Sequence, residues 1–202
     1  MLFDQLKKSN ILLQGEFEKR GLCFCVHADA AWGGYLCTLL EKTKNAKNHN
    51  RIVSKSPTFV FSSPLNKHSK IQLEAMEFAD SITVDPHKTG FIPYPAGGLC
   101  YKNGNMRNFV TLTAPVVFHG GSDPNIGVYG IEGSKPGAAA VATLFSHRVI
   151  GLDHNGYGRI MAQCITGAKM FYCLWLTVAK DNDPFECVPI FPPGSGNSVF
   201  SR

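Results

Sequence analysis

The chain has 202 residues, a mass of 22.1 kDa and a formal charge of +5 at neutral pH, with 44% hydrophobic and 17% charged residues. This balance is too apolar for a disordered chain and too mixed for a membrane bundle. One domain, or a piece of something larger, is expected. No run approaches the roughly 18 apolar residues of a spanning helix, so no membrane partner is expected.

At the N-terminus Asp4, Lys7, Lys8 and Asn10 stand where a signal peptide would need an apolar run. A soluble, cytoplasmic protein is expected. The seven cysteines are odd in number and form no CxxC pair. Most lie among apolar residues, which predicts buried free thiols in a reducing compartment. The net charge is local. Between Lys42 and Lys70 there are seven basic residues and no acidic ones, while the remainder carries 13 basic against 15 acidic. Only Phe59 and Phe61 interrupt this segment with rings, so it reads as a solvated connector and not as a nucleic-acid surface.

In chain order, residues 1–20 read as a short helix or irregular entry. Residues 22–29 are short, apolar and polar-ended, the pattern of a buried strand. Gly33-Gly34 breaks the chain and 35–44 follows as a helix. A connector over 45–67 leads to a helix over 70–79, where Ile71, Ala75 and Phe78 share a face and Ser69-x-x-Gln72 has capping-box form. A strand at 81–84 is halted by Asp85-Pro86, and a third is expected at 97–102. Residues 103–136, rich in Gly, Asn and Pro, predict a long irregular loop, a common home of function. A helix over 138–150 carries Val141, Leu144, Phe145 and Val149 on one face, and another runs over 157–179. Strands separated by helical segments predict an α/β fold with a mostly parallel sheet and flanking helices.

Two of these strands end in polar clusters, His27-Ala28-Asp29 and Asp85-Pro86-His87-Lys88. In open α/β sheets ligands bind at the carboxyl edge of the strands. A lysine amine can form a Schiff base with an aldehyde cofactor. Pyridoxal phosphate also needs a carboxylate for its pyridine nitrogen and a small surface for its ring. Lys88, Asp29, Ala30 and Ala31 meet those needs, and His87 could donate to the phosphate. The same residues admit other readings: a structural Asp–His pair with a solvated lysine, or a metal-dependent hydrolase in which His27, Asp29, Asp85 and His87 are ligands.

Residues 26–34, Val-His-Ala-Asp-Ala-Ala-Trp-Gly-Gly, followed by 79–88, Ala-Asp-Ser-Ile-Thr-Val-Asp-Pro-His-Lys, resemble the group II pyridoxal-phosphate-dependent decarboxylases. Gly90-Phe-Ile-Pro-Tyr-Pro-Ala-Gly-Gly98 and Ile131-Glu-Gly-Ser-Lys-Pro-Gly137 are most similar to the microbial tyrosine decarboxylase branch. The resemblance spans roughly residues 22–180. It implies the large domain of a type I, aspartate aminotransferase-like fold over 1–180, with 181–202 leading towards a small C-terminal domain. It implies pyridoxal 5'-phosphate as cofactor, an L-amino acid as substrate, a homodimer and loss of the substrate carboxylate as carbon dioxide.

The resemblance also assigns roles by position. Lys88 matches the lysine of the internal aldimine, Asp29 the partner of the pyridine nitrogen and Ala31 the residue against the ring. His87 matches a residue near the aldimine and phosphate. Asp85 stands where relatives often place Ser or Asn against the phosphate; a carboxylate there would repel it, so Asp85 is expected to orient His87 or hold the loop. Tyr94 matches an active-site tyrosine and is a candidate proton donor, or else an aromatic packed in a turn. Ser134 matches a loop reaching the phosphate across the dimer interface. His27 either contacts substrate or merely caps its strand, His119 lies in the long loop, and Trp32 packs beside the site.

The family's phosphate loop, its ring-stacking histidine and its C-terminal domain have no counterpart in this sequence. The expectation is therefore a fragment with impaired activity. The alternative is a non-catalytic piece that binds a full-length decarboxylase subunit.

Overall fold

The computed structural model describes residues 14–40, 65–111, 136–180 and 182–189. Its central feature is a three-stranded sheet of β1 (His27–Asp29), β2 (Ser81–Val84) and β3 (Gly98–Tyr101), in that spatial order. Beyond a helical stretch over 14–18, the helices of the described residues are α1 (Lys67–Ala75), α2 (Gly137–Ile150) and α3 (Tyr157–Val178), with 3-10 segments at Gly34–Leu39, Met76–Phe78 and Gly104–Val110. The α/β expectation holds at this level. The Ser81–Val84 strand and the last two helices lie within a residue of their predicted bounds.

β1 runs parallel to β2, with His27 opposite Ser81, Ala28 opposite Ile82 and Asp29 opposite Thr83. β3 runs antiparallel to β2, pairing Ser81 with Tyr101 and Val84 with Gly98. The sheet is thus mixed, not mostly parallel. A parallel neighbour needs a crossover of about a dozen residues or more, usually a helix. Residues 85–97 are spent on a turn that folds back directly.

β1 is shorter than the predicted strand over 22–29. Leu22 and Phe24 are exposed, and pairing begins only where β2 lies alongside. Entry is fixed by Asp80, whose carboxylate accepts from the Val26 amide at 2.8 Å while its own amide donates to the Val26 carbonyl at 2.8 Å. The α1 cap also differs from the predicted capping box. Asn66 is the N-cap, and its side-chain oxygen accepts from the Ser69 amide. The predicted helix over 35–44 is a 3-10 segment ending at Leu39.

The buried core joins that 3-10 segment to the first half of α3: Tyr35 and Leu39 pack with Tyr157, Met161, Ala162 and Ile165. Gly158 permits the approach, since a Cβ there would sit 2.5 Å from the Thr38 carbonyl oxygen. Beyond Ile165 the helix is largely bare, with Met170, Phe171, Leu174 and Trp175 exposed. The predicted face of α2 is present but points outward: Val141, Leu144, Phe145 and Val149 are all exposed. The cysteines likewise depart from expectation. None of the seven is in a disulfide and none is buried: Cys37, whose Sγ lies 3.8 Å from Met76 Sδ, and Cys187 are half-buried and the other five exposed. No described helix is long and apolar enough to cross a membrane.

Met161, 2% exposed in this core, is expected to cost about 2–5 kcal/mol on replacement by alanine. Phe145→Ser, on the bare face of α2, should stay within about 0.5 kcal/mol. Urea unfolding of the two variants checks both values.

Candidate active site

The parallel register places the ends of β1 and β2 side by side. Asp29 closes β1, and Asp85 follows directly after β2. The Asp85 amide donates to the Ala31 carbonyl at 3.3 Å, and the Ala30 amide to Thr83 at 3.0 Å. The two polar clusters are therefore stitched together by backbone.

From Asp85 the chain makes a tight turn. The Lys88 amide donates to the Asp85 carbonyl, Phe91 to Lys88 and Ile92 to Pro86, all at 3.0–3.1 Å. Phe91 has φ of +56°, a conformation rare for an aromatic residue. Gly90 admits no side chain: a Cβ would lie 2.6 Å from the Pro86 carbonyl oxygen and 2.5 Å from the Tyr35 hydroxyl. Within this turn the Lys88 Nζ sits 2.7 Å from Asp85 Oδ2, with the two side chains 24% and 15% exposed. The hydrogen bond that Lys88 donates to Asp85 raises the Lys88 pKa above 10.5, opposed by desolvation and helped by the charges of Asp85, Tyr94 and Asp29. Lys88 is thus an ammonium at neutral pH, within electrostatic reach of the Asp29 carboxylate.

Asp29, His87, Tyr94 and Trp32 lie near this pair. Asp29 Oδ1 accepts from the Ala31 amide at 3.1 Å and keeps its side chain at the exposed strand end. His87 donates from Nδ1 to the Ala96 carbonyl, which assigns the proton to that nitrogen and turns Nε2 towards Asp85 Oδ2 at 3.9 Å. The Tyr94 ring lies on the His87 ring with centroids 3.9 Å apart, while the residue is 76% exposed. Trp32 is also largely exposed, and the Lys88 Nζ lies 5.7 Å from its ring centroid. His27 bonds through Nδ1 to Ser81 Oγ at 2.8 Å and through Nε2 to Thr83 Oγ1 at 3.1 Å, so it ties β1 to β2. Ser134 and His119 lie outside the described residues, as does most of the basic segment. Among the described residues no group of three or more His, Cys, Asp and Glu could hold a metal ion.

Sequence reasoning missed the layer beneath the turn. The Tyr157 hydroxyl, fully buried, donates to the Gly90 carbonyl at 2.8 Å and lies 2.5 Å from Ser146 Oγ. The Tyr35 hydroxyl bonds His147 Nε2 at 2.7 Å. Burial, helped by Tyr157, pushes the Tyr35 pKa up to about 12, and burial lowers that of His147, so both are neutral. Up to 112 residues of sequence separate these partners, and no spacing pattern signals them.

The donor set suits pyridoxal phosphate in part. Lys88 offers an amine, Asp29 a carboxylate and Ala31 a small neighbouring surface. Asp85 is committed to Lys88, and His87 Nδ1 to Ala96.

No family model matches the chain. Curated relatives do match it. The chain is 36% identical to the L-tyrosine decarboxylase of Enterococcus faecium over 167 residues, covering 80% of this chain and 27% of that protein. It is 33% identical to the L-tyrosine decarboxylase of Levilactobacillus brevis over 169 residues, with the same coverage. Over about 80% of its length the chain is thus similar to amino acid decarboxylases. A probable L-tyrosine/L-aspartate decarboxylase of Methanopyrus kandleri is 30% identical over 177 residues, or 86% of this chain and 40% of that one. The chain spans 27% of the length of the tyrosine decarboxylases it matches.

Folding raises the Lys88 pKa, so the ion pair stabilises the folded chain fully below the unfolded value of 10.5 and is lost as pH climbs through the raised value. Asp85→Asn should therefore lower the pH at which Lys88 is half-acylated by a neutral reagent, read peptide by peptide by mass spectrometry. Its stability deficit should vanish in strong alkali.

Proposed function

We propose that this chain carries the cofactor-anchoring part of a carboxy-lyase that removes the α-carboxylate of an L-amino acid, with tyrosine or a related aromatic residue as substrate. The observation that supports it most is the parallel pairing that brings Asp29, at the end of β1, within electrostatic reach of Lys88 in the turn after β2. The names of the relatives agree with the substrate class. In this reading residues 1–180 form part of the large domain of a type I fold, 181–202 lead towards a small domain, and the working enzyme is a cytoplasmic homodimer.

Pyridoxal 5'-phosphate, when bound, supplies an aldehyde for covalent attachment and a ring that accepts the electrons left when carbon dioxide departs. Lys88 is the residue that anchors it. Its ammonium must first give up a proton, and Asp85, 2.7 Å away, is the neighbour that holds the nitrogen in place. Asp29 keeps a proton on the ring nitrogen, and Ala31 leaves room for the ring. Tyr94, exposed and stacked on His87, returns a proton to the substrate carbon, and His87 orients it. Ser134 contributes to the phosphate from the partner subunit.

A second reading is favoured by the bare apolar faces of α2 and α3. In it the chain is a non-catalytic piece that docks on a full-length decarboxylase subunit. Co-expression with such a subunit would retrieve the pair together, and separate elution would dismiss this reading.

Incubation with pyridoxal phosphate followed by borohydride should attach a pyridoxyl group to Lys88 in preference to the chain's other lysines, and Lys88→Ala should abolish that adduct. Uniform labelling of surface lysines would overturn the assignment. Release of tyramine from L-tyrosine, at a rate well below that of a full-length relative, is the expected activity.

A further inference from the structure

The turn bearing Lys88 is held by hydrogen bonds within itself, by the Asp85 amide on the Ala31 carbonyl and by the Thr89 hydroxyl on the Trp32 carbonyl at 2.9 Å. Its Asp85–Lys88 pair is partly exposed, and it includes the left-handed Phe91. A further long-range support comes from the helical layer below, through Tyr157. Tyr157 stands at the first residue of α3 and is fully buried, its ring centroid 4.8 Å from that of Tyr35 and 5.9 Å from that of His147. Its hydroxyl meets two partners. It donates to the Gly90 carbonyl and accepts from the Ser146 hydroxyl on α2, since the carbonyl can only accept. One oxygen thus joins α2, α3 and the turn two residues beyond the reactive amine.

We propose that Tyr157 is a positioning residue for Lys88: its hydroxyl, oriented by Ser146, fixes the Gly90 carbonyl and through the turn sets the Asp85–Lys88 geometry. The inference rests on the reading of Lys88 as the cofactor-anchoring lysine. Removing the hydroxyl leaves the Gly90 carbonyl without this donor in a buried place, a loss that favours opening of the turn. An open turn separates Lys88 from Asp85. The groups that face Lys88 are then those that remain around it: Asp85 and His87 of its own turn, Tyr94 of the following loop, Asp29 at the end of β1 and the Trp32 ring. Tyr35 and His147 face Tyr157 from behind and are neutral, so they add no charge to the balance.

The test is the pH profile of Lys88 acylation in the full chain, with a small neutral acylating reagent that needs no cofactor site. Tyr157→Phe, which removes one oxygen and keeps the ring, is expected to move the half-reaction pH of Lys88 downward. Asp85→Asn should move it in the same direction, and the double variant should move it no further than Asp85→Asn alone. Amide exchange in the peptide covering 86–92 should be about tenfold faster in Tyr157→Phe, with exchange in α2 unchanged. A folded Tyr157→Phe protein whose Lys88 profile coincides with wild type overturns the proposal. So does an additive effect in the double variant. Ser146→Ala, which spares the packing altogether, gives a second reading with the same two outcomes if Tyr157→Phe does not fold. Failure of Lys88 to capture pyridoxal phosphate would reject the cofactor reading and leave the acylation result to stand on its own.

Discussion

The register of β1 on β2 is the constraint from which the rest of the site follows. Parallel pairing brings two carboxyl ends to one edge, and the placement of Asp29 opposite Thr83 brings Asp85 alongside Ala31. A slip of one residue would turn each side chain to the opposite face of the sheet. Two features hold the register. Asp80 clamps the entry to β1 through the Val26 backbone, and His27 bridges the Ser81 and Thr83 hydroxyls across the strands. His27, a natural candidate for substrate contact from its place in the motif, spends both ring nitrogens on that bridge.

The site is built in depth. At the surface, Lys88 and Asp85 form a pair whose charges are screened only in part. Below them the turn is too tight for any residue but glycine at position 90. Below that, Tyr35, His147, Ser146 and Tyr157 satisfy one another in a layer where unpaired polar atoms would be costly. The same two tyrosines belong to the main apolar core with Leu39 and Met161. Folding of the core and placement of the amine are therefore one event: the packing that buries Tyr157 also delivers its hydroxyl to the turn.

The sequence announced the parts of this site that depend on local pattern. Strand ends followed by polar clusters are visible in alternation and in the Asp-Pro break, and Lys88, Asp29 and Asp85 follow from them. The 3.6-residue period marked α2 and α3 within a residue. It could not say which face is covered, and the stripe from Val141 to Val149 proved exposed. Cysteines set among apolar neighbours were expected inside for the same reason, yet Cys23, Cys25 and Cys100 are exposed. The antiparallel course of β3 was hidden because it depends on how 85–97 turns, and that turn is fixed by contacts to Tyr35 and Tyr157 far along the chain. Asn66 replaced Ser69 as the cap of α1 because capping depends on where the helix starts, which the apolar period left open by one turn.

The proposed chemistry requires Asp29 and Lys88 to act on one bound molecule. Two effects of Asp29→Asn on the capture of pyridoxal phosphate by Lys88 carry opposite signs, which makes the measurement decisive. The Asp29 carboxylate raises the Lys88 pKa, so its loss alone would increase the reactive amine and the pyridoxyl yield. Loss of a contact to the cofactor ring would decrease the yield. At fixed pH and limiting cofactor, a lower yield of borohydride-trapped pyridoxyl-Lys88 in Asp29→Asn than in wild type is the predicted result. An equal or higher yield would mean that Asp29 makes no contact with the cofactor held by Lys88.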